Sequence, residues 1–178
     1  MFALIRVCVV AGALAASLPA FARDPGPVPP PSPSVTVSGA VEHALTVRAD
    51  QLSAYPPAQI VELKLAGSGG TDPTKTSTVR GVRLRDLIDQ AKVVKRDHNT
   101  VKKLAVIVSA ADGYKVVFSF SELINAELGD SVLVLFERDG KPLAADEGPL
   151  ALISAKDLRT GPRHVKWLQA VEVKQIAD

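Results

Sequence analysis

Over residues 35–173 apolar and polar side chains alternate with two periods, one of strands and one of helices. Val35-Thr36-Val37-Ser38-Gly39 and Ala44-Leu45-Thr46-Val47 alternate like the two strands of a half-buried hairpin. Asp50 is placed to cap a short helix running to Tyr55, which Pro56 and Pro57 stop. Residues 59–66 read as a third strand, 67–76 as a polar glycine-rich loop and 78–82 as a short strand. Leu84, Leu87, Ile88 and Ala91 fall at i, i+3, i+4 and i+7, which predicts an amphipathic helix over 84–92. Residues 104–109 form a continuous apolar strand, and Asp112-Gly113 reads as a two-residue turn into a strand over 114–120. Ser121 is the expected cap of a short helix ending near Ala126. Strands over 132–136, closed by Asp139-Gly140, over 150–153 and over 168–173 complete the set. The fold class predicted is α+β: a mixed β-sheet with two or three short helices.

The first residues follow another rule. Arg6 precedes an apolar run over 7–18, and Ala20-Phe21-Ala22 has the A-x-A form of a cleavage site. Residues 1–22 are therefore expected to be a signal peptide cut after Ala22. Their apolar run is too short for a stable anchor. The product is expected in a periplasm, with no stable membrane insertion. Residues 23–34 carry prolines at 25, 27, 29, 30, 31 and 33, which suits an extended polyproline II leader used as a spacer. One domain over 35–178 follows.

Composition narrows the function classes. The chain is 47% hydrophobic and 22% charged, which is globular rather than disordered. Lys plus Arg number 21 and Asp plus Glu 19, so loss of Arg6 leaves a balance of +1. Such a chain lacks the electrostatic footprint of a nucleic-acid binder. The single cysteine, Cys8, lies in the signal segment, leaving the mature part without a disulfide, thiolate ligand or cysteine nucleophile. The loop Ala66-Gly67-Ser68-Gly69-Gly70 has neither the Gly-Lys of a phosphate loop nor the flanking glycines of a nucleophile elbow. His43, His98 and His164 show no metal-ligand spacing. Lys92, Lys95, Arg96, Lys102 and Lys103 read as a solvated basic face.

Three groups of residues, taken in order, resemble one family. They are Gly161-Pro162-Arg163-His164-Val165-Lys166-Trp167-Leu168 with Val171-Glu172-Val173; Tyr114-Lys115-Val116-Val117-Phe118-Ser119-Phe120, Leu133-Val134-Leu135, Asp139-Gly140-Lys141-Pro142-Leu143 and Gly148-Pro149; and Gly81-Val82-x-Leu84-x-Asp86-Leu87. The pattern is similar to the molybdopterin-binding domain of the sulfite oxidase family. The resemblance implies that the 163–168 string holds a pterin. Arg163, His164 and Lys166 supply donors there, Trp167 and Tyr114 supply faces, and Gly67 and Ser68 lie at the site. Asp112, Asp146 and Glu147 are candidate acceptors for a pterin amino group. Asp112 serves equally as a turn residue, and the other two as solvated loop charges.

The resemblance breaks at the metal. Catalytic members carry a cysteine thiolate on molybdenum before Ala-Gly, and here that position is Leu65 in Leu63-Lys64-Leu65-Ala66-Gly67-Ser68. Gly69 and Gly70 replace the basic residues that follow, and Ala151 replaces an arginine after Gly-Pro-Leu. The reading is an exported, non-catalytic pterin-binding or sensory module. It resembles stand-alone periplasmic proteins that serve the periplasmic part of a membrane cyclic-dinucleotide signalling enzyme. Its ligand is a pterin or molybdopterin-like molecule, with no molybdenum expected through a protein thiolate. The alternatives are a molybdopterin-dependent oxidoreductase and a periplasmic interaction domain with an empty pocket.

Overall fold

The computed structural model describes residues 33–66 and 76–177. The signal segment, most of the leader and the loop bearing Gly67 and Ser68 lie outside the described residues.

Ten strands divide between two sheets. The first takes β1 (Ser34–Gly39), β2 (Leu45–Arg48), β5 (Leu104–Ala110), β6 (Lys115–Ser119) and β10 (Leu168–Gln175), in the order β2-β1-β10-β5-β6. Only β1 and β10 run parallel there, so this sheet is mixed. The second takes β3 (Ile60–Ala66), β4 (Thr76–Arg83), β7 (Val132–Arg138) and β8 (Lys141–Pro142) in that order, with β9 (Ala151–Ser154) also paired to β7. All of its pairings are antiparallel. The α+β fold with mixed sheet and short helices expected from the pattern is present, its strands divided between two sheets, a division that local alternation does not specify because it identifies strands without saying which partner each one takes.

The helices are α1 (Ala49–Ser53), α2 (Leu84–Ala91) and α3 (Phe120–Asn125). Leu84, Leu87, Ile88 and Ala91 are all fully buried, as their spacing predicts. They join a core drawn from both sheets, including Val35, Val37, Val106 and Val171 of the first and Val82, Val134, Phe136 and Leu152 of the second. Alternate residues of the second sheet point the other way. Leu133, Leu135, Ala151 and Ile153 cluster there with Val79 and Leu65. Leu65 is 5% exposed, so the position at which the resemblance calls for a metal ligand is a core position here.

Three local expectations are corrected. The turn between β5 and β6 has three residues rather than two: Ala110 N–H donates to Tyr114 O, and Gly113 N–H to Ala110 O. Gly113 sits at φ +90°, the left-handed residue that closes such a loop, and Asp112 carries the bend ahead of it. The cap of α3 is Ser119, not Ser121. Ser119 Oγ accepts from Glu122 N–H while Glu122 Oε2 accepts from Ser119 N–H, a reciprocal box that Ser121 has no carboxylate to complete. Asp50 lies inside the first turn of α1, where it meets Arg48 Nε at 3.1 Å. Gln51 satisfies the Arg48 N–H in its place.

Candidate functional site

Strands β5 and β10 pair antiparallel, so the end of β5 and the start of β10 share one edge of the first sheet. The β5–β6 loop and the segment entering β10 meet at this edge. Asp112, Tyr114, His164, Lys166 and Trp167 together line an open cleft of about 220 Å³. Four residues singled out in the sequence as pterin contacts are thereby brought together, and Asp112 joins them.

Each wall is tied down. Tyr114, 45% exposed, donates its phenol to Pro162 O at 2.7 Å, binding the hairpin loop to the turn before His164. Asp112 Oδ1 accepts from Tyr114 N–H at 2.9 Å. Trp167 has a left-handed backbone, φ +49°, which a bulky residue rarely adopts. Its conformation is held on three sides: its N–H donates to Glu147 O at 2.8 Å, its carbonyl accepts from Ala111 N–H at 2.9 Å, and its indole N–H donates to Ala145 O at 3.1 Å.

The loop Ala145-Asp146-Glu147-Gly148 therefore backs the cleft. Gly148 is at φ +89°, and a Cβ on it would stand 2.4 Å from Trp167 Cδ1. Gly148→Ala is expected to cost about 1–3 kcal/mol and to displace the indole. Urea denaturation with tryptophan emission reads both effects, since Trp167 is the chain's one tryptophan.

The cations expected to grip an anion are already paired. Lys166 Nζ meets Asp146 Oδ2 at 3.0 Å. His164 Nε2 meets Glu147 Oε1 at 2.9 Å. Glu147 also receives Arg138, Nε on Oε2 at 3.0 Å and Nη2 on Oε1 at 2.7 Å, and Arg138 Nη1 reaches Ser77 Oγ at 2.8 Å. Burial pushes the Glu147 carboxyl up. Hydrogen bonds from His164 and Arg138, together with their charges, outweigh it and hold the group at about 2. Glu147 is 6% exposed, so it is neither a solvated loop charge nor an available acceptor.

Arg163 is not among the residues lining the cleft. Its Nε donates to Asp157 Oδ2 at 2.6 Å, its Nη2 to Asp157 Oδ1, its Nη1 lies 3.5 Å from Glu122, and its guanidinium stacks 4.5 Å over the Phe118 ring. The Arg163 hydrogen bonds, reinforced by one from Ser154, hold the Asp157 carboxyl below its usual range against burial. Arg163 is a strut of the loop behind the cleft, with its donors committed inside the protein.

Asp157 and Arg138 went unnoticed in the sequence. Nothing local marks an aspartate six residues before an arginine, or an arginine at the end of a strand, as its partner.

Among the described residues no three His, Cys, Asp or Glu side chains are grouped to hold a metal ion. Leu65 is apolar and packed among leucines. The cleft offers flat faces and ring-edge polar groups, which suits a small heterocycle. It does not suit a molybdenum held by a protein thiolate.

A family model described as oxidoreductase molybdopterin binding domain matches residues 25–177. The fold is similar to the sulfane dehydrogenase SoxCD from Paracoccus pantotrophus, at TM-score 0.59 and 17% identity. That match covers 82% of this chain and 39% of the other. A comparison with curated proteins finds no match.

Proposed function

The chain belongs to the oxidoreductase molybdopterin-binding domain family, and we propose that it is an exported, non-catalytic member that binds a pterin and reports its presence. The observation carrying this reading is the cleft where Asp112, Tyr114, His164, Lys166 and Trp167 converge. Tyr114 and Trp167 give it aromatic walls. Lys166 and Asp112 place a donor and an acceptor at its rim. Among the described residues His164 Nδ1 has no partner, which leaves it for a ring-edge contact while Nε2 is held by Glu147. A bound pterin supplies a redox-active heterocycle, and the chain's own part is to seat that ring and hold its edge.

Two features favour binding over turnover. The chain's one cysteine is Cys8, ahead of the A-x-A site, so the processed protein offers no thiolate. Arg163 and Lys166 are each offset by a carboxylate, Asp157 and Asp146, and His164 Nε2 is held by Glu147. A nearly neutral cleft favours an uncharged ring over a phosphorylated cofactor. On this reading the protein acts on the periplasmic part of a membrane cyclic-dinucleotide signalling enzyme, a role that rests on the sequence resemblance alone.

The test is to purify the protein from its native periplasm, denature it and examine what is released. A pterin identified by fluorescence and mass, without stoichiometric molybdenum, is the expected result. Stoichiometric molybdenum with sulfite-dependent reduction of an electron acceptor overturns the reading in favour of an oxidoreductase.

A further inference from the structure

Strands β5 and β10 have a second end. The seven residues of β5 span about 23 Å, and at the pole away from the cleft they begin beside the basic segment 92–103. The segment carries Lys92, Lys95, Arg96, Lys102 and Lys103, with Asp97 as its one carboxylate.

Like Lys64, Lys115, Lys141, Arg159 and Lys174 they stand outside the ion pairs of the described residues, and what distinguishes them is that five such cations fall within one short segment. Arg80, Arg138, Arg163 and Lys166 all reach carboxylates elsewhere in the fold. Among the described residues none of the five is in an ion pair. Asp97 is drawn inward: its Oδ1 accepts from Asn99 N–H at 2.8 Å and from Thr100 Oγ1 at 3.1 Å. The Thr100 hydrogen bond leads in holding its carboxyl below the usual range, and Lys103 adds only a longer-range charge. Lys102 Nζ donates to the neutral Asn99 Oδ1 at 3.0 Å. Glu42, on the adjoining turn, faces His43 at 3.9 Å.

The pole also has relief. A cavity of about 220 Å³ opens between the strand ends, lined by polar Arg96, Thr100 and Gln175 and by apolar Val94 and Leu104. Thr100 Oγ1 is occupied by Arg96 N–H, Asp97 N–H and Asp97 Oδ1, and Gln175 Nε2 by Ala177 O. Arg96 is the one charged side chain lining the cavity, and its guanidinium has no carboxylate partner among the described residues. Ile176, 67% exposed, stands beside the cavity, its N–H donating to Lys103 O at 2.8 Å.

We propose that this pole docks an acidic segment of a partner protein, one of whose carboxylates enters the cavity to meet Arg96. A cavity of side-chain size, an exposed aliphatic residue and a basic rim match the pocket-and-rim construction of protein interfaces. A flat anionic lipid surface would use the basic rim alone, whereas the cavity and the exposed Ile176 give a side-chain-bearing partner something further to engage. Because the cleft lies at the other end of the same strands, partner and cleft ligand bind without competing for space. This docking stands whatever the cleft holds.

The test uses the full chain and a fluorescein-labelled decaglutamate peptide read by anisotropy. Binding that weakens with salt is expected. Arg96→Ala is expected to lower affinity about tenfold and Arg96→Lys about fivefold, since lysine keeps the charge and loses the planar fork. Lys141→Ala, a cation removed from the other sheet, is the control, and thermal midpoints of all three variants should stay near the parent's. Absence of peptide binding overturns the proposal. So does a loss under Arg96→Ala no larger than the control's. Binding confined to phosphatidylglycerol vesicles overturns it in favour of a lipid surface.

Discussion

Glu147→Gln is expected to destabilise the protein by about 3–5 kcal/mol, because it strips the charge from a buried carboxylate that accepts from both Arg138 and His164. Glu147 is 7% exposed at its side chain and Arg138 18%, so water does little to replace the lost partner. The wild-type pH profile carries the same signature. Hydrogen bonds from His164 and Arg138, overcoming burial, lower the Glu147 carboxyl from an ordinary 4.5 to about 2. A depressed folded-state value means that its contribution is complete above about pH 4.5 and drains away as pH falls through 2. That drop corresponds to about 3 kcal/mol. Urea denaturation between pH 2 and 7 should therefore show the wild type converging on Glu147→Gln at the acid end. A variant that stays within about 0.5 kcal/mol of wild type at pH 7 would show that the pair is not holding the loop. Ligand affinity should fall too, because His164 Nε2 loses the acceptor that fixes its ring.

The sequence was most legible where one segment carries its own reason. The 84–91 helix follows from four apolar residues at helical spacing, and nothing distant is needed to place them. Three members of the 163–168 string, His164, Lys166 and Trp167, line the cleft with Tyr114. What was hidden is pairing across the chain. The division of the strands between two sheets depends on which edges meet. The fate of Glu147, in a loop, depends on Arg138, nine residues earlier at the end of β7. Loop chemistry was legible only in part. Asp112-Gly113 announced a turn, yet its length depended on the Ala110–Tyr114 pairing. Ser119 and Ser121 are equally good caps by residue type, and the carboxylate three residues on decides between them.

Arg163 shows why that distinction matters for function. From sequence it is a donor in a basic string facing a ligand, and its removal should weaken binding while sparing stability. In the fold both of its Asp157 contacts, its stacking on Phe118 and its approach to Glu122 are internal. Asp157 is 13% exposed at its side chain, and without Arg163 it keeps Ser154 Oγ as a partner but has no cation. Arg163→Ala should accordingly cost about 2–4 kcal/mol, combining lost charge-assisted hydrogen bonds with the cation–π contact. Asp157→Asn should cost less, because the amide still accepts one of the two bonds. In a double-mutant cycle the pair should show a coupling of about 1–3 kcal/mol. Pterin affinity measured on the folded fraction should change by no more than about threefold, under 1 kcal/mol. The opposite result, unchanged stability with affinity lost by about a hundredfold, would mean that Arg163 swings out of its Asp157 clasp to take the ligand, and that the cleft closes around what it binds.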